Sequence, residues 1–214
     1  MRNLTGETNK GKFRINYPEN WDETITEQFI RIIREWDGVD PIKAFSILSG
    51  MEVHDIQTST DNKLEAALYE SVRFLYGRFE LDKLPIPETL ELRPLWFKDA
   101  PLVPDRVTIP KKIGRLTIGQ AIQARKCLEG MEDIREGVSM VTAIYLQPLI
   151  DQKPFDMLRS IELEQIILKM PITRIYPIGV FFLQRLSVSG PRRGNVWHRI
   201  LRWAQRQTGR KLRG

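Results

Sequence analysis

The chain has 214 residues, 42% hydrophobic and 28% charged, which is enough to bury one sizeable core or two small ones and too apolar for disorder to be the default. Its formal net charge is +6, but residues 188–214 alone hold eight Lys or Arg and no acid; with those set aside, 25 Lys and Arg face 27 Asp and Glu, a net of −2. The basic character is therefore local. The single cysteine, Cys127, excludes an intramolecular disulfide and a cysteine-rich zinc site, and it is consistent with a reducing compartment. The longest apolar run, YPIGVFFL, is eight residues, where a membrane-spanning helix needs about 20. The opening MRNLTGETNKGKF has no apolar signal-peptide core, so secretion by that route is not expected, and residues 1–12 read as a flexible polar arm.

KFRINY places Phe13, Ile15 and Tyr17 on one side and predicts a short strand. In WDETITEQFIRIIREW the period turns helical: Thr24 and Glu27 stand in capping-box spacing, and Ile25, Phe29, Ile32, Ile33 and Trp36 share a stripe. DPIKAFSILSG predicts a second helix with Asp40 as N-cap, Pro41 in the first position and Gly50 as a left-handed stop. A third lies in STDNKLEAALYESVRFLYGRF, with Leu64, Ala67, Leu68, Val72 and Leu75 inward and Gly77 at its end. Six prolines then exclude a long helix over 84–110. TLELRPLWF and DRVTIP are possible strands there, with Pro94 demoting the first to an edge or an irregular arm.

LTIGQAIQARKCLEG opens the second helical run, with Thr117 and Gln120 in capping-box spacing, Ile118, Ala121, Ile122 and Leu128 as the apolar stripe, and Gly130 as the stop. MEDIREGVSMVTAIYLQPLI continues it on Ile134, Val138, Val141 and Tyr145, and DMLRSIELEQIILKM on Leu158, Ile161, Ile166 and Leu168. After Pro171, ITRIYPIGVFFLQRLSV is apolar on nearly all sides, the pattern of a central buried helix. Gly50-Met51-Glu52 and Gly130-Met131-Glu132 each follow a short amphipathic helix, which either records a duplicated hairpin or arises by chance. The expected fold is mostly α: a single multi-helix domain over 13–189, of about seven helices, with a small β element drawn from the N-terminal strand and the proline-rich crossing. Residues 190–214 are expected to add a basic amphipathic C-terminal helix.

Signatures of enzymes are sparse. No GxGxxG or GxxxxGK[ST] spacing occurs, and two histidines 144 positions apart with one cysteine offer no metal-site spacing. His54 beside Asp55 could act as a general base, against the plainer reading of a surface histidine at a helix start. Cys127 could act as a nucleophile only with a histidine brought to it in space, against the plainer reading of a small buried residue. Glu162 and Glu164 lie two apart and so on different helix faces, while Glu132 and Asp133, with Glu129 nearby, suit the positive end of a helix dipole; both sets read as solvated surface. The expectation is a non-enzymatic protein without metal or cofactor. Trp96 and Phe97, in PLWFKDAP, read as core anchors or as a protein contact.

In the C-terminal segment VSGPRRGNVWHRILRWAQRQTGRKLRG, Asn195 can cap a helix reaching to about residue 207. Val196, Ile200, Trp203 and Ala204 share one side, Trp197 and Leu201 widen it, and Arg199, Arg202 and Arg206 lie opposite. Such a helix fits a groove on a partner protein, an anionic membrane surface, or its own domain. It also fits nucleic acid, with Arg192, Arg193, Arg199, Arg202, Arg206, Arg210, Lys211 and Arg213 on phosphates and affinity falling as salt rises. A tail that worked by charge alone would not need the apolar side. Docking into a protein assembly through Val196, Trp197, Ile200, Leu201 and Trp203, aided by Trp96 and Phe97, is therefore favoured, with nucleic-acid binding as the alternative.

The order LTGETNKGKFRI, DPIKAFSILSGMEVHDI, LTIGQAIQARKCLEG and YPIGVFFLQRLSVSG, covering 13–189, resembles small proteins of the virion and tail modules of tailed bacteriophages of Bacteroidetes, including crAss-like phages. The resemblance rests on structural motifs: a DP…ILSG helix stop, an LTIGQ helix start and an apolar FFL helix. It implies a tail-assembly factor, a ring or connector subunit, or a packaged protein, with other phage structural proteins or a second copy as partners. The implied location is the virion, or the host cytoplasm during assembly.

Overall fold

The alternation in KFRINY forms strand β2 (Gly11–Tyr17) in a computed structural model that describes residues 1–8, 11–76, 81–92, 104–110 and 116–188. The partner of that strand corrects the reading of residues 1–12 as a free arm. Strand β1 (Arg2–Thr8) pairs with it antiparallel, Leu4 opposite Ile15 and Gly6 opposite Phe13. A polar seven-residue strand shows little periodicity of its own, and what holds this one is tertiary. The amino terminus reaches Glu23 at 2.5 Å, Arg2 pairs with Glu19 and Glu70, and Leu4 joins Phe13 and Ile15 against the cluster around Phe45, Leu48 and Leu64. The central crossing makes its own ladder, β3 (Thr89–Glu91) with β4 (Arg106–Thr108), so the β structure is two separate pairs and not one element.

Helix α1 (Thr26–Glu35) begins later than the Thr24/Glu27 pattern predicts, because the preceding residues are held elsewhere. Ile25 forms a β-bridge with Pro171, flanked by Thr26 N–H to the Met170 carbonyl and Ile172 N–H to the Thr24 carbonyl, both 2.9 Å. Thr24 Oγ1 turns back to the Asn20 carbonyl, and Gln28 Oε1 accepts from Ile25 N–H at 3.0 Å. Helix α2 (Pro41–Ser49) follows the sequence closely: Asp40 accepts from Ile42 and Lys43 N–H, and Gly50 takes φ 75°. A short α3 (Val53–Thr58) precedes α4 (Asn62–Val72), whose predicted stripe of Leu64, Ala67, Leu68 and Val72 is buried. The α-helix stops at Val72 and tightens into a 3-10 turn over Arg73–Tyr76.

The second half is built on α6 (Val138–Asp151), which is buried around most of its circumference, including Ser139, Thr142 and Gln147. Helix α5 (Ile118–Leu128) lies antiparallel to it: Gln120 meets Ile144 at one end, and Leu128 lies against Gly137 at the other. Helix α7 (Met157–Leu168) is also antiparallel to α6, with Asp156 against Gln147 and Glu164 against Ser139. Helix α8 (Ile172–Val188) runs parallel to α6, Gly179 lying on Val138 and Phe182 on Tyr145 with ring centroids 4.0 Å apart. As expected, α8 buries Ile175, Ile178 and Phe182, but it shares the centre with α6. Eight α-helices are present among the described residues, one more than the seven expected, because the helix start expected at His54 forms a separate short helix, α3, ahead of α4. Gly130, like Gly50, has a left-handed φ, here 86°. The likeness ends there, since a 3-10 turn over Ile134–Gly137 stands where α3 does in the first half.

Candidate functional site

The strongest departure from sequence expectation falls on α5 and α7, and it produces an exposed apolar face. Ile118 and Ile122, expected to face inward, are 81% and 47% exposed; Leu158 and Ile161, expected in the α7 core stripe, are 75% and 41% exposed. The core side of α5 is instead Gln120 and Ala124, helped by Cys127 and Leu128. The core side of α7 is Ser160, Leu163, Ile166 and Ile167.

Polar contacts set both rotations. On α5, Thr117 and Gln120 form the predicted capping box, with Gln120 Oε1 accepting from Thr117 N–H at 2.9 Å, and Gln120 Nε2 donates to the Ile144 carbonyl at 2.8 Å. At the turn between α6 and α7, Asp156 caps α7 by accepting from Leu158 N–H (2.9 Å) and Arg159 N–H (3.3 Å). The same residue's N–H donates to Gln147 Oε1 at 2.8 Å, and Arg159 reaches back to Asp151 at 3.2 Å. With Arg159 and Ser160 turned toward α6, Leu158 and Ile161 face water.

Since α5 and α7 both oppose α6, they run in the same direction on it. Their starts meet where a Cβ placed on Gly119 would lie 3.7 Å from the Phe155 ring. Further along, Cys127 lies close enough to Glu164 to feel its charge. The four exposed aliphatics therefore occupy the first two turns of two helices that both run antiparallel to α6, with Phe155 close to the start of each. An open depression beside Phe155 is lined by Gln147, Ile150, Asp151, Lys153 and Met157. Helix α8 ends at this same end of the bundle, because it runs parallel to α6.

Glu164 and Asp133 behave differently from the solvated surface expected of them. Burial pushes the Glu164 carboxyl up, partly offset by the 2.6 Å hydrogen bond from Ser139 Oγ. Burial also raises the Cys127 thiol, with Glu164 adding to the effect, which disfavours a nucleophilic thiolate. At Asp133, burial acts upward but the Arg135 side chain and backbone outweigh it, and the carboxyl is held below its ordinary value. Glu129, Glu132 and Glu162 are exposed, and Glu162 pairs with Arg159 at 2.8 Å. His54 is exposed on α3, against the first-half cluster, whereas Cys127 packs on the second-half cluster. Among the described residues, no three His, Cys, Asp or Glu come together as a metal would require, and no helix is long and apolar enough to cross a membrane.

Trp96, Phe97 and the whole C-terminal set, both the apolar Val196, Trp197, Ile200, Leu201 and Trp203 and the eight basic residues, lie outside the described residues. Comparison with protein-family models, with curated proteins and with solved structures finds no match to this chain. Ile118 with Ile122 and Leu158 with Ile161 are apolar pairs at helical spacing, and spacing alone does not say whether such a pair meets the core or solvent.

Proposed function

We propose that the chain is a non-enzymatic assembly protein acting through protein–protein contacts, in the setting that its resemblance to tailed-phage virion and tail-module proteins implies. The observation that supports this is the α5/α7 face, where the fold's own hydrogen bonds leave four large aliphatic side chains in water. Fully burying a side chain of this kind contributes about 1.5–3 kcal/mol, so a partner that covers Ile118 and Leu158 gains most of that for each. Contiguous apolar surface framed by polar groups is what a docking site requires. Other structural proteins of the particle, or a second copy of the chain, are the partners that fit the setting.

The test is quantitative mass spectrometry of purified particles of the encoding phage, with Ile122→Asp/Leu158→Asp compared against the unaltered chain. Many copies per particle, lost on substitution, is the expected outcome. A chain absent from both particles and assembly intermediates would overturn the proposal. DNA binding that weakens with salt and survives the face substitutions would move the function to the C-terminal arginines.

A further inference from the structure

We infer that two copies of this chain meet through the α5/α7 face about a two-fold axis, with α5 of one copy lying along α7 of the other. The inference rests on the reading of that face as a docking surface and narrows its occupant to a second copy.

The exposed rows of the two helices look the same way. On α5, Gly119 points at Phe155, just ahead of α7, and Cys127 comes within reach of the Glu164 charge. At about 100° per residue, Ile118, Ile122 and Lys126 lie about a quarter of a turn from that side of α5. On α7, Glu164 turns toward α5, and Leu158 and Ile161 lie about a quarter of a turn from it in the opposite sense. Rotations of opposite sense bring both rows to one side. The same two approaches fix the level. Gly119 with Phe155 and Cys127 with Glu164 are offsets of 36 and 37 residues, so Ile122 is level with Leu158, and Lys126 with Glu162.

Charge selects the occupant. Along the exposed side of α5 the charges run Lys126 then Glu129, and along that of α7 they run Glu162 then Lys169, opposite in sign at each step. A two-fold axis parallel to the helices lays α5 on α7 of the other copy, at equal level and in the same direction. Ile122 then meets Leu158 and Lys126 meets Glu162, each twice by symmetry. Glu162 also accepts from Arg159, which a carboxylate can do while accepting a second donor. A two-fold axis across the helices would set α5 on α5 and separate Lys126 from Glu162. The helices are 11 and 12 residues long, so the face measures about 16–18 Å by about 20 Å. That is the small end of specific interfaces, and the dimer is weak, with a dissociation constant on the order of tens of micromolar. In dilute solution the chain is single and the face meets water.

Sedimentation equilibrium of the full chain from about 5 to about 500 µM, a range that brackets the expected dissociation constant, is the test. Lys126→Glu and Glu162→Lys should each weaken self-association about tenfold, because like charges then oppose each other twice per dimer. The double variant Lys126→Glu/Glu162→Lys should restore it to within about threefold. An equimolar mixture of the two single variants should do the same, since both opposed pairs again carry opposite charge. Ile122→Asp should weaken it about tenfold through the apolar contact. Unfolding midpoints in dilute solution report whether each variant's body is intact. Should Glu162→Lys lower that midpoint by releasing Arg159, Lys126→Glu and Ile122→Asp carry the test. Three outcomes overturn the inference: a chain that stays single throughout, self-association that Ile122→Asp leaves unchanged, or charge variants that weaken it with no recovery in the double variant and the mixture. The assembly role is read separately. Particle entry without self-association keeps that role and gives the face to another particle protein, whereas self-association of a chain absent from particles and intermediates keeps the dimer and removes the role.

Discussion

Gln120 on α5 donates its side-chain N–H to the main-chain carbonyl of Ile144 on α6, 2.8 Å away in the buried interior. Four residues beyond Ile144 stands Pro148, inside α6 and without the N–H that a helix would return to that carbonyl. Gln120 thus satisfies a backbone acceptor that a proline leaves open, and in doing so fixes which side of α5 faces inward. Ile118 and Ile122 then face water.

The relationship can be tested by a double-mutant cycle. Gln120→Leu should cost about 1–3 kcal/mol in urea unfolding, because a buried carbonyl loses its donor. In a Pro148→Ala background, residue 148 supplies the N–H itself, and the same substitution should cost markedly less. Equal costs in both backgrounds would remove Pro148 from the explanation.

The exposed face and the true core of α7 should separate cleanly. Leu158→Ser and Ile118→Ser replace side chains that are mostly in solvent and should change stability by no more than about 0.5 kcal/mol. Leu163→Ala or Ile167→Ala, both buried, should cost about 2–5 kcal/mol through lost burial and the cavity left behind. Thermal or denaturant unfolding of the four variants is the check.

Glu164 and Asp133 should respond to pH in opposite senses. The folded value of Glu164 is raised above its ordinary 4.5, so its contribution to stability is fully present below 4.5 and is lost as pH rises through the folded value. Glu164→Gln should therefore raise stability at neutral pH and flatten the profile above 4.5. The folded value of Asp133 is lowered below 3.8, so its contribution is present above 3.8 and lost as pH falls through the folded value. Asp133→Asn should destabilise the chain at neutral pH, with the difference from the unaltered chain shrinking in acid. Denaturant midpoints measured across this range test both signs.

The α6/α8 contact depends on two small features. A Cβ at Gly179 would meet the Val138 side chain and lie 2.8 Å from the Val138 carbonyl, so Gly179→Ala should cost about 1–3 kcal/mol by overpacking. Next to it, the Thr142 hydroxyl is buried without a hydrogen-bond partner. Thr142→Val keeps the shape and removes that polar atom, and should be stabilising by about 1 kcal/mol. A Thr142→Val variant less stable than the unaltered chain would show that the hydroxyl is satisfied.

What the sequence determined by itself was local. Asp40-Pro41 and Gly50 bound α2, Thr117 and Gln120 cap α5, and the apolar spacing from Leu64 to Val72 buries one side of α4, because each of these depends on groups within a few residues of one another. Tertiary structure decided the rest. The start of α1 was displaced by a bridge from Ile25 to Pro171, 146 positions away, and the polar N-terminus became a strand only through Leu4 and the ion pairs of Arg2. The candidate site belongs to this second kind. Periodicity marks the apolar pairs on α5 and α7 but leaves each helix free to rotate about its axis; the rotation is fixed by partners far away in the chain, the Ile144 carbonyl beneath Pro148 for Gln120 and Asp151 for Arg159, together with the inward packing of Ala124 on α5 and of Leu163, Ile166 and Ile167 on α7.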